Sequence, residues 1–292
     1  MPVSIEQLES FVATADKGSF RAAAASLGKH ASTISVAVAN LEIDLGVDLF
    51  NRTAKSLQIT SQGQDLYQYA KMVLAERDHL EAKADSLLRG EPQKLTIAID
   101  EALCIPEVVQ ACAEVLNHQP QISLNIMYGD PNQVVAWLLA NRADIGLRLS
   151  AASLAHGLSM DDAFSFEGVR VTNGRQKMAD GAISQLQLRQ MRQIALSYVR
   201  DEKIGQLHSQ SNHVIYANSV GGVVKMVAAG MGWAILPRFS CRDALERGEV
   251  QEFYCEDEAN LKWHTELLWP TDKPLNSAMK VFKDEIIAIP DM

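Results

Sequence analysis

The amino-acid sequence predicts a multidomain α+β protein with a helical N-terminal segment, one long helix and a larger α/β segment. Three observations support this fold class. Apolar residues in the first sixty positions recur with helical spacing, residues 61 to 89 continue with heptad spacing, and strand-like and helical stretches alternate after Gly90. With 292 residues, the chain is long enough for two or three hydrophobic cores.

The first two predicted helices are short. In the first, one apolar face is formed by Leu8, Phe11, Val12 and Ala15. In the second, Ser19 is the predicted N-cap and Gly28 follows the end of the helix at Leu27.

A helix-turn-helix is indicated by the spacing of Ala24, Gly28 and Ile34. A small residue lets two helices touch, a glycine tolerates positive φ in the turn, and a β-branched residue anchors the next helix. That third helix begins near His30 and places Ile34, Val38 and Leu41 on its inner face. Phe11, Phe20 and Phe50 are expected in the core rather than stacked on bases.

A short hairpin, or wing, is predicted between residues 49 and 60. Leu57 and Ile59 alternate with polar residues, and the turn from Arg52 to Lys55 is basic. Thr60 is the predicted N-cap of the long helix that follows.

The long helix over residues 61 to 89 has a heptad seam interrupted by Arg77. The seam residues are Leu66, Val73, Leu80 and Leu87. Dimerisation through this stripe is the simplest interpretation, and packing of an amphipathic helix on its own domain is the alternative.

After Gly90-Glu91-Pro92 the pattern alternates between strands and helices, which predicts parallel sheets with helices on their faces. Strands are expected at 95–99, 122–128, 144–149, 169–172, 194–199, 214–217, 233–236 and 265–269, and helices at 107–116, 133–140, 220–229, 240–246 and 278–287.

The net charge of −9 argues at first against binding to nucleic acid. Divided along the chain, residues 1 to 90 carry nine basic and eleven acidic side chains, and the remainder carries 18 and 25. No acid occurs between residues 17 and 41 or between 49 and 64. Two locally positive stretches therefore remain, and we expect modest non-specific DNA affinity with few phosphate contacts per subunit.

Cysteines 104, 112, 241 and 255 have no metal-ligand spacing, so reduced structural thiols are expected and no metal site or cofactor is predicted. The sequence contains neither an apolar run of membrane-spanning length nor a signal-peptide pattern at its start, which points to the cytoplasm.

The first sixty residues resemble the LysR-type transcriptional regulators without a gap. The matching positions are Phe11-Val12, Gly18-Ser19-Phe20, Ala22-Ala23-Ala24, Leu27, Ser35, Leu41-Glu42, Leu45-Gly46, Leu49-Phe50-Asn51-Arg52 and Thr60-x2-Gly63. This resemblance implies a prokaryotic regulator with a winged helix-turn-helix at 1–60, a dimerising linker helix at 61–89 and an effector-binding domain at 93–292. It further implies a periplasmic-binding-protein-like domain, with subdomain I at 93–163 and 265–292 and subdomain II at 164–264, and usually a tetramer.

In such a domain the third helix would enter the major groove of double-stranded DNA. The candidates for DNA contact on and before this helix are Lys29, His30, Ser32, Thr33, Ser35, Val36, Ala37 and Asn40, joined by Arg52 and Lys55 of the wing. Ser35 and Arg52 match family positions expected to contact phosphate; an ion pair of Arg52 with Glu42 or Asp48 is the alternative. Family members commonly carry Ser-Gln at the helix start and a basic or long polar residue at position 36, so bidentate base readout by Arg or Gln is largely lost here. Specificity is expected to depend on methyl contacts, short hydroxyls, Asn40 and DNA shape.

The resemblance also extends to Asn218-Ser219-Val220-Gly221-Gly222 and implies a small-molecule effector in the cleft between the subdomains. Ser219, Gly221 and Gly222 are candidates to hold a carboxylate or phosphate at a helix N-terminus, with Arg148 as a charge partner. Turn geometry for the glycines and a surface ion pair for Arg148 are the alternatives. The opposite rim is expected to be formed by Asp100, Glu101, Ala102 and Cys104, with Ser197 and Tyr198 on the cleft wall.

The two carboxylates on that rim argue against a simple anionic effector: the open interpretations are that they receive an amine, pair with Arg148 or face solvent. Cys104, near a helix start, has a packing role and a thiol switch as its two interpretations.

Other function classes explain less of the chain. Catalytic motifs such as G-x-S-x-G or a phosphate-binding P-loop do not occur, so an enzyme is not predicted. A solute binder would leave the helix-turn-helix unexplained, and a coiled-coil protein would explain only residues 61 to 89. The sequence therefore predicts an oligomeric, sequence-specific DNA-binding regulator controlled by a small-molecule effector.

Overall fold

The computed structural model of the chain describes residues 3–52, 57–150, 156–175, 183–200, 210–255 and 261–292. It divides into two compact units, Met1–Arg89 and Gly90–Met292. Within the described residues, no helix is long and apolar enough to cross a membrane.

The first unit consists of helices and one small hairpin. In chain order its elements are α1 (Ile5–Lys17), α2 (Phe20–Leu27), α3 (Ala31–Leu45), β1 (Phe50–Arg52), β2 (Leu57–Ile59) and α4 (Ser61–Leu88). The antiparallel pairing of β1 with β2 confirms the predicted wing. The predicted N-caps are also confirmed, because Ser19 accepts a hydrogen bond from the Ala22 amide and Thr60 accepts one from the Gly63 amide.

The helix-turn-helix is built from the three predicted residues. Ala24 and Ile34 are buried in one small cluster, and Gly28 ends α2 with a φ of 66°. This positive φ is strained for residues with a side chain, so glycine suits the turn.

Aromatic rings fill the core beside this motif, as expected. Phe11 and Phe50 are buried with their ring centroids 5.7 Å apart in an edge-to-face arrangement, and Phe20 packs on Phe50 at 6.2 Å. Tyr67 of α4 joins the cluster at 6.4 Å from Phe11. The start of α4 is therefore part of the first unit's core.

The second unit is α/β. Its strands are β3 (Lys94–Asp100), β4 (Ser123–Gly129), β5 (Ile145–Leu149), β6 (Leu158–Asn173), β7 (Gln193–Leu196), β8 (Val214–Ala217), β9 (Ala234–Pro237), β10 (Val250–Glu252) and β11 (Leu261–Pro270). Its helices are α5 (Pro106–His118), α6 (Pro131–Leu139), α7 (Gln185–Gln190), α8 (Val220–Ala228), α9 (Arg238–Glu246) and α10 (Ser277–Ile287), with short 3-10 turns at Glu101–Leu103 and Ser197–Arg200.

The main sheet is mixed, so the expectation of parallel sheets was only partly right. Strands β4, β3 and β5 are parallel, whereas β11 runs antiparallel between β5 and β6. Strands β9 and β10 also pair antiparallel with β6, along its second half. The reason is that β11 returns from the far part of the unit and inserts beside β5 without a parallel crossover.

Three strands differ clearly in length from the sequence prediction, and one of them, β11, extends over ten residues rather than five. β6 extends over 16 residues rather than four, because its first half pairs with β11 and its second half with β9 and β10. β7 ends at Leu196, and the predicted strand residues 197 to 199 instead form a 3-10 turn. The proposed subdomain boundaries at 163 and 265 fall inside β6 and β11, the latter beside a bulge between His264 and Glu266.

Candidate DNA interface and effector cleft

Helix α3 has one buried and one exposed face. Ile34, Val38 and Leu41 are fully buried. On the opposite face Ser32, Val36 and Asn40 are exposed, and Val36 has 58% of its surface accessible. Of the other candidates, His30 and Thr33 are exposed and Ser35 and Ala37 are half-buried.

The N-terminus of α3 differs from those of its neighbours. Helices α1, α2 and α4 are capped by the side chains of Ser4, Ser19 and Thr60, whereas His30 makes no capping hydrogen bond to α3. An uncapped first turn leaves backbone N–H groups for an outside acceptor, and a phosphate oxygen is the acceptor that a helix N-terminus favours.

Of the basic candidates for DNA contact, only Lys29 is described in full by the structure. Lys29 is half-buried and forms an ion pair with Glu6, with 2.8 Å between Nζ and Oε1. The hydrogen bond and charge of Lys29 lower the pKa of Glu6. Arg52 has its backbone in β1, but its side chain and the whole of Lys55 lie outside the described residues.

Sequence reasoning missed how the wing is attached to α3. The Glu42 carboxylate accepts hydrogen bonds from the backbone amides of Leu49 and Phe50, at 2.9 and 3.1 Å. It therefore fixes the start of β1 against the third helix. The Leu41-Glu42 and Leu49-Phe50 pairs noted in the sequence carry this contact, but their spacing alone does not reveal it.

Helix α4 is attached to the first unit along its first half. Ala70 is buried, Leu66 packs against the core, and Tyr67 donates a hydrogen bond to Asp16 of α1. The guanidinium of Arg77 forms ion pairs with Glu9 of α1 and with Asp78. These contacts explain why Arg77 interrupts the heptad seam, because its side chain forms an ion pair with α1.

The later heptad residues remain exposed. Val73, Leu80 and Leu87 are exposed, with Leu80 70% accessible, and they are flanked by exposed Tyr69, Met72 and Leu88. Helical spacing places Tyr69 one turn before Val73 on the same side of α4. We name Tyr69, Val73, Leu80 and Leu87 the α4 stripe. None of the described residues of the first unit covers it.

In the second unit, a side-chain hydrogen bond joins the residue that follows β3 to the residue that precedes α8. The Ser219 hydroxyl donates to Glu101 Oε1 at 2.8 Å and accepts from the Gly222 amide at 3.3 Å. Gly221 and Gly222 lie in the first turn of α8, and neither has a positive φ. A Cβ placed on Gly221 meets nothing within 4 Å, so the helix start is open on that side.

Asp100 is buried at the carboxyl end of β3, with 2% of its surface accessible. Its carboxylate accepts hydrogen bonds from the Ala102 amide at 3.0 Å and the Leu149 amide at 3.3 Å. Burial raises the pKa of Asp100 to about 7, against the opposing effect of those hydrogen bonds. The neighbouring charges of Asp130 and Glu101 raise it further.

Arg148 is buried and paired with Glu266 of β11, with 2.6 Å between Nη2 and Oε1. Glu266 also accepts a hydrogen bond from the Ser150 hydroxyl at 3.3 Å. Arg148 therefore forms a buried ion pair rather than the surface pair that was the alternative. An effector carboxylate would have to compete with Glu266 for this guanidinium.

A cavity of about 260 Å³ opens beside the Ser219–Glu101 contact. Its lining includes Glu101, Ala102, Cys104, Glu107, Gly221 and Arg242. It brings together residues from both predicted rims, but six of the predicted effector residues are not among its lining residues: Asp100, Arg148, Ser197, Tyr198, Ser219 and Gly222. Ser197 and Tyr198 are half-buried in the 3-10 turn after β7.

The four cysteines are free thiols, with Cys104 exposed and the other three buried. Burial raises the pKa of Cys112 to about 11 and that of Cys241 to about 12. Groups of three or more side chains able to hold a metal ion do not occur in the part of the chain that the structure describes.

Both units match models of known protein families. Residues 5–64 match the model of the bacterial regulatory helix-turn-helix proteins of the lysR family. Residues 88–288 match the model of the LysR substrate binding domain.

Relatives of known name and structure align over almost the whole chain. The HTH-type transcriptional regulator AceR of Acinetobacter baumannii is 25% identical over 293 residues, which cover 98% of this chain and 97% of AceR. A full-length OxyR variant from Pseudomonas aeruginosa has a TM-score of 0.55 at 19% identity, covering 98% and 100% of the two chains. CrgA, a LysR-type transcriptional regulator from Neisseria meningitidis, has a TM-score of 0.54 at 21% identity, covering 97% of each chain. These structural similarities establish the fold.

Proposed function

The chain belongs to the LysR family of bacterial transcriptional regulators, and from this premise we propose a function for each of its two units. It is a DNA-binding transcriptional regulator with an effector-binding domain. We propose that residues 1–60 bind DNA, that residues 61–89 dimerise, and that residues 93–292 bind a small molecule in the cleft between the two subdomains. Ligand binding would shift the subdomains and thereby the placement of paired α3 helices on DNA.

The uncapped, outward-facing α3 is the observation that carries the DNA-binding proposal. In the major groove, the proposed base-facing residues are His30, Ser32, Thr33, Val36, Ala37 and Asn40. Ser35 and Arg52, with Lys29 and Lys55 nearby, would contact phosphate. Binding by Lys29 would compete with its ion pair to Glu6.

Two matched carboxylates test this proposal in a gel-shift assay. Ser32→Glu adds a negative charge at the start of α3, which we expect to face DNA, and Gln62→Glu adds one at the start of α4. Both positions are exposed and a helix N-terminus tolerates an acid, so both variants should fold. We expect Ser32→Glu to abolish binding to a duplex selected from a random library and Gln62→Glu to retain it. Equal binding by both variants would contradict the placement of α3.

For the effector, we propose the cavity between Glu101 and the start of α8, together with Ser219, Gly221 and Gly222. The hydrogen bond from Ser219 to Glu101 and the open space at Gly221 support this location. Asp100, Ala102, Cys104, Arg148, Ser197 and Tyr198 remain proposed contributors. A thermal-shift screen of small molecules, repeated with Gly221→Leu, tests the site: a true effector should stabilise the wild type and lose its effect in the variant.

For self-association, we propose that the α4 stripe pairs with its counterpart in a second copy and that dimers associate into a tetramer. The exposure of Val73, Leu80 and Leu87 supports this role, while Leu66 is already in contact with the core of its own unit. We further propose that the chain acts in the cytoplasm, where bacterial DNA lies, and that it regulates without catalysing a reaction.

A further inference from the structure

The outward face of α3 carries no positive charge. The helix contains no lysine or arginine between Ala31 and Leu45. Its two acids are both engaged within the unit: Glu42 accepts from the Leu49 and Phe50 amides, and Asp44 accepts from the side-chain amide of Gln7 at 2.8 Å. What α3 offers to a partner is therefore small hydroxyls, Asn40 and aliphatic groups.

Val36 lies at the centre of that face. At 100° per residue, the buried residues Ile34, Val38 and Leu41 define one side of α3, and Val36 points in the opposite direction. It follows Ser32 by one turn and precedes Asn40 by another, so its isopropyl group stands between two polar side chains. Ile43 lies on the same line and is 76% exposed, but is seven residues, or about 10.5 Å, farther from the helix start.

The chemistry of an isopropyl group restricts what it can recognise. It neither donates nor accepts a hydrogen bond, so a base edge bearing only donors or acceptors would lose water at that point and gain no partner. The 5-methyl group of thymine is the apolar group that base edges present in the major groove. A valine at the centre of the reading face therefore favours thymine.

Building on the function proposed above, we propose that Val36 determines part of the operator sequence by contacting the 5-methyl group of one thymine in each half-site. Ile43 lies too far from the N-terminal end of α3, which is nearest to the bases in helix-turn-helix complexes, to make the equivalent contact. Readout at this position would be hydrophobic and insensitive to salt.

Single replacement of thymine by uracil tests the proposal. A duplex selected by the full-length chain from a random library is resynthesised with uracil at one thymine at a time, which removes the methyl group and keeps the base pair. Burial of one methyl group corresponds to about a fourfold change in affinity. We expect one thymine per half-site to show about this loss in the wild type, at both low and high salt.

Two matched variants assign the effect to a residue. Val36→Ser should bring the thymine-to-uracil affinity ratio at that position to about one, while Ile43→Ser should keep the wild-type ratio. Both replace an exposed aliphatic side chain of α3, and circular dichroism checks that both remain folded. Uracil insensitivity at every thymine in the wild type, or an unchanged ratio in Val36→Ser, would overturn the methyl readout while leaving DNA binding intact. A wild-type chain that selects no duplex at all would overturn the proposed function itself, and this inference with it.

Discussion

Arg148 of β5 and Glu266 of β11 form an ion pair in which both side chains are buried, with 2.6 Å from Nη2 and 2.7 Å from Nε to the same carboxylate oxygen. The two residues are directly opposite each other in neighbouring antiparallel strands. The pair therefore joins β5, which belongs to the first part of the second unit's sequence, to β11, which belongs to its last part.

Loss of Glu266 should destabilise the second unit strongly. Glu266→Gln leaves the buried Arg148 guanidinium without a counter-charge, which typically costs about 3 to 5 kcal/mol. All four tryptophans lie in this unit, at positions 137, 233, 263 and 269, so urea unfolding followed by their fluorescence reports on it. The control is Glu167→Gln, which breaks an exposed pair with Arg238 and should cost less than about 1 kcal/mol. A similar loss in the free energy of unfolding for the two variants would contradict a stabilising role of the buried Arg148–Glu266 pair.

Asp100 should make the second unit less stable as pH rises. Because its pKa is about 7 in the folded state and near 3.8 ordinarily, the folded state binds more protons between these values. The free energy of unfolding therefore falls as pH rises through this window. Asp100→Asn removes the titration, so its stability relative to the wild type should increase between about pH 5 and about pH 8, by a few kcal/mol at most. Urea unfolding at both pH values measures the difference, and a constant difference would argue against a raised pKa.

A charge in the α4 stripe should separate the chains. Leu80→Glu places a carboxylate at the centre of the proposed dimer contact and should give a monomer at micromolar concentration, because an uncompensated buried charge is costly. His79→Glu, on the same helix but about 100° around it, should remain a dimer. Sedimentation equilibrium distinguishes the two. A monomeric wild type would rule out the stripe as a dimer contact.

Arg52→Ala should weaken binding to every DNA sequence by a similar factor. A lost phosphate contact reduces the slope of log affinity against log salt concentration by about 1 per site. Fluorescence anisotropy at several salt concentrations measures that slope. Arg247→Ala, which breaks a pair with Glu249 in the second unit, is the control and should leave the slope unchanged. Equal slopes for wild type and Arg52→Ala would remove Arg52 from the phosphate contacts.

Two glycine substitutions should have opposite effects. A Cβ on Gly63, in the first turn of α4, would collide with the Leu49 carbonyl oxygen, and backbone cannot move aside cheaply. Gly63→Ala should therefore destabilise the first unit by about 1 to 3 kcal/mol. Gly221→Ala has open space and helical backbone, so it should stabilise the second unit by up to about 1 kcal/mol. Circular dichroism follows the unfolding of both units and tryptophan fluorescence that of the second alone, so thermal unfolding with both probes separates the two effects. An unchanged stability of Gly63→Ala would show that α4 can shift from the wing.

Local signals made the first unit predictable from sequence. The caps Ser19 and Thr60, the turn at Gly28 and the inward Ile34 each depend on neighbours within a few residues. Periodicity also located α4. It did not reveal that Leu66 is engaged by its own unit while Leu80 is exposed, because heptad spacing does not identify the partner of each residue.

Contacts between distant residues were beyond sequence reasoning. Arg148 and Glu266 are separated by 118 positions, as are Glu101 and Ser219, and no local pattern reports such pairs. The same limit explains the parallel-sheet expectation. Alternation of strands and helices describes β3 to β5 well, but not the insertion of β11 between β5 and β6.

The attachment of α4 to α1 through Arg77–Glu9 and Tyr67–Asp16 has a mechanical consequence. A helix of 28 residues is about 42 Å long. Because it is fixed to the first unit along its first half, the helix and that unit move together: a tilt of about 5° about the far end of α4 displaces its attached end by about 3.7 Å, close to the 3.4 Å rise of one DNA base pair. In a dimer, such a tilt would change the distance between the two α3 helices by about one base-pair step.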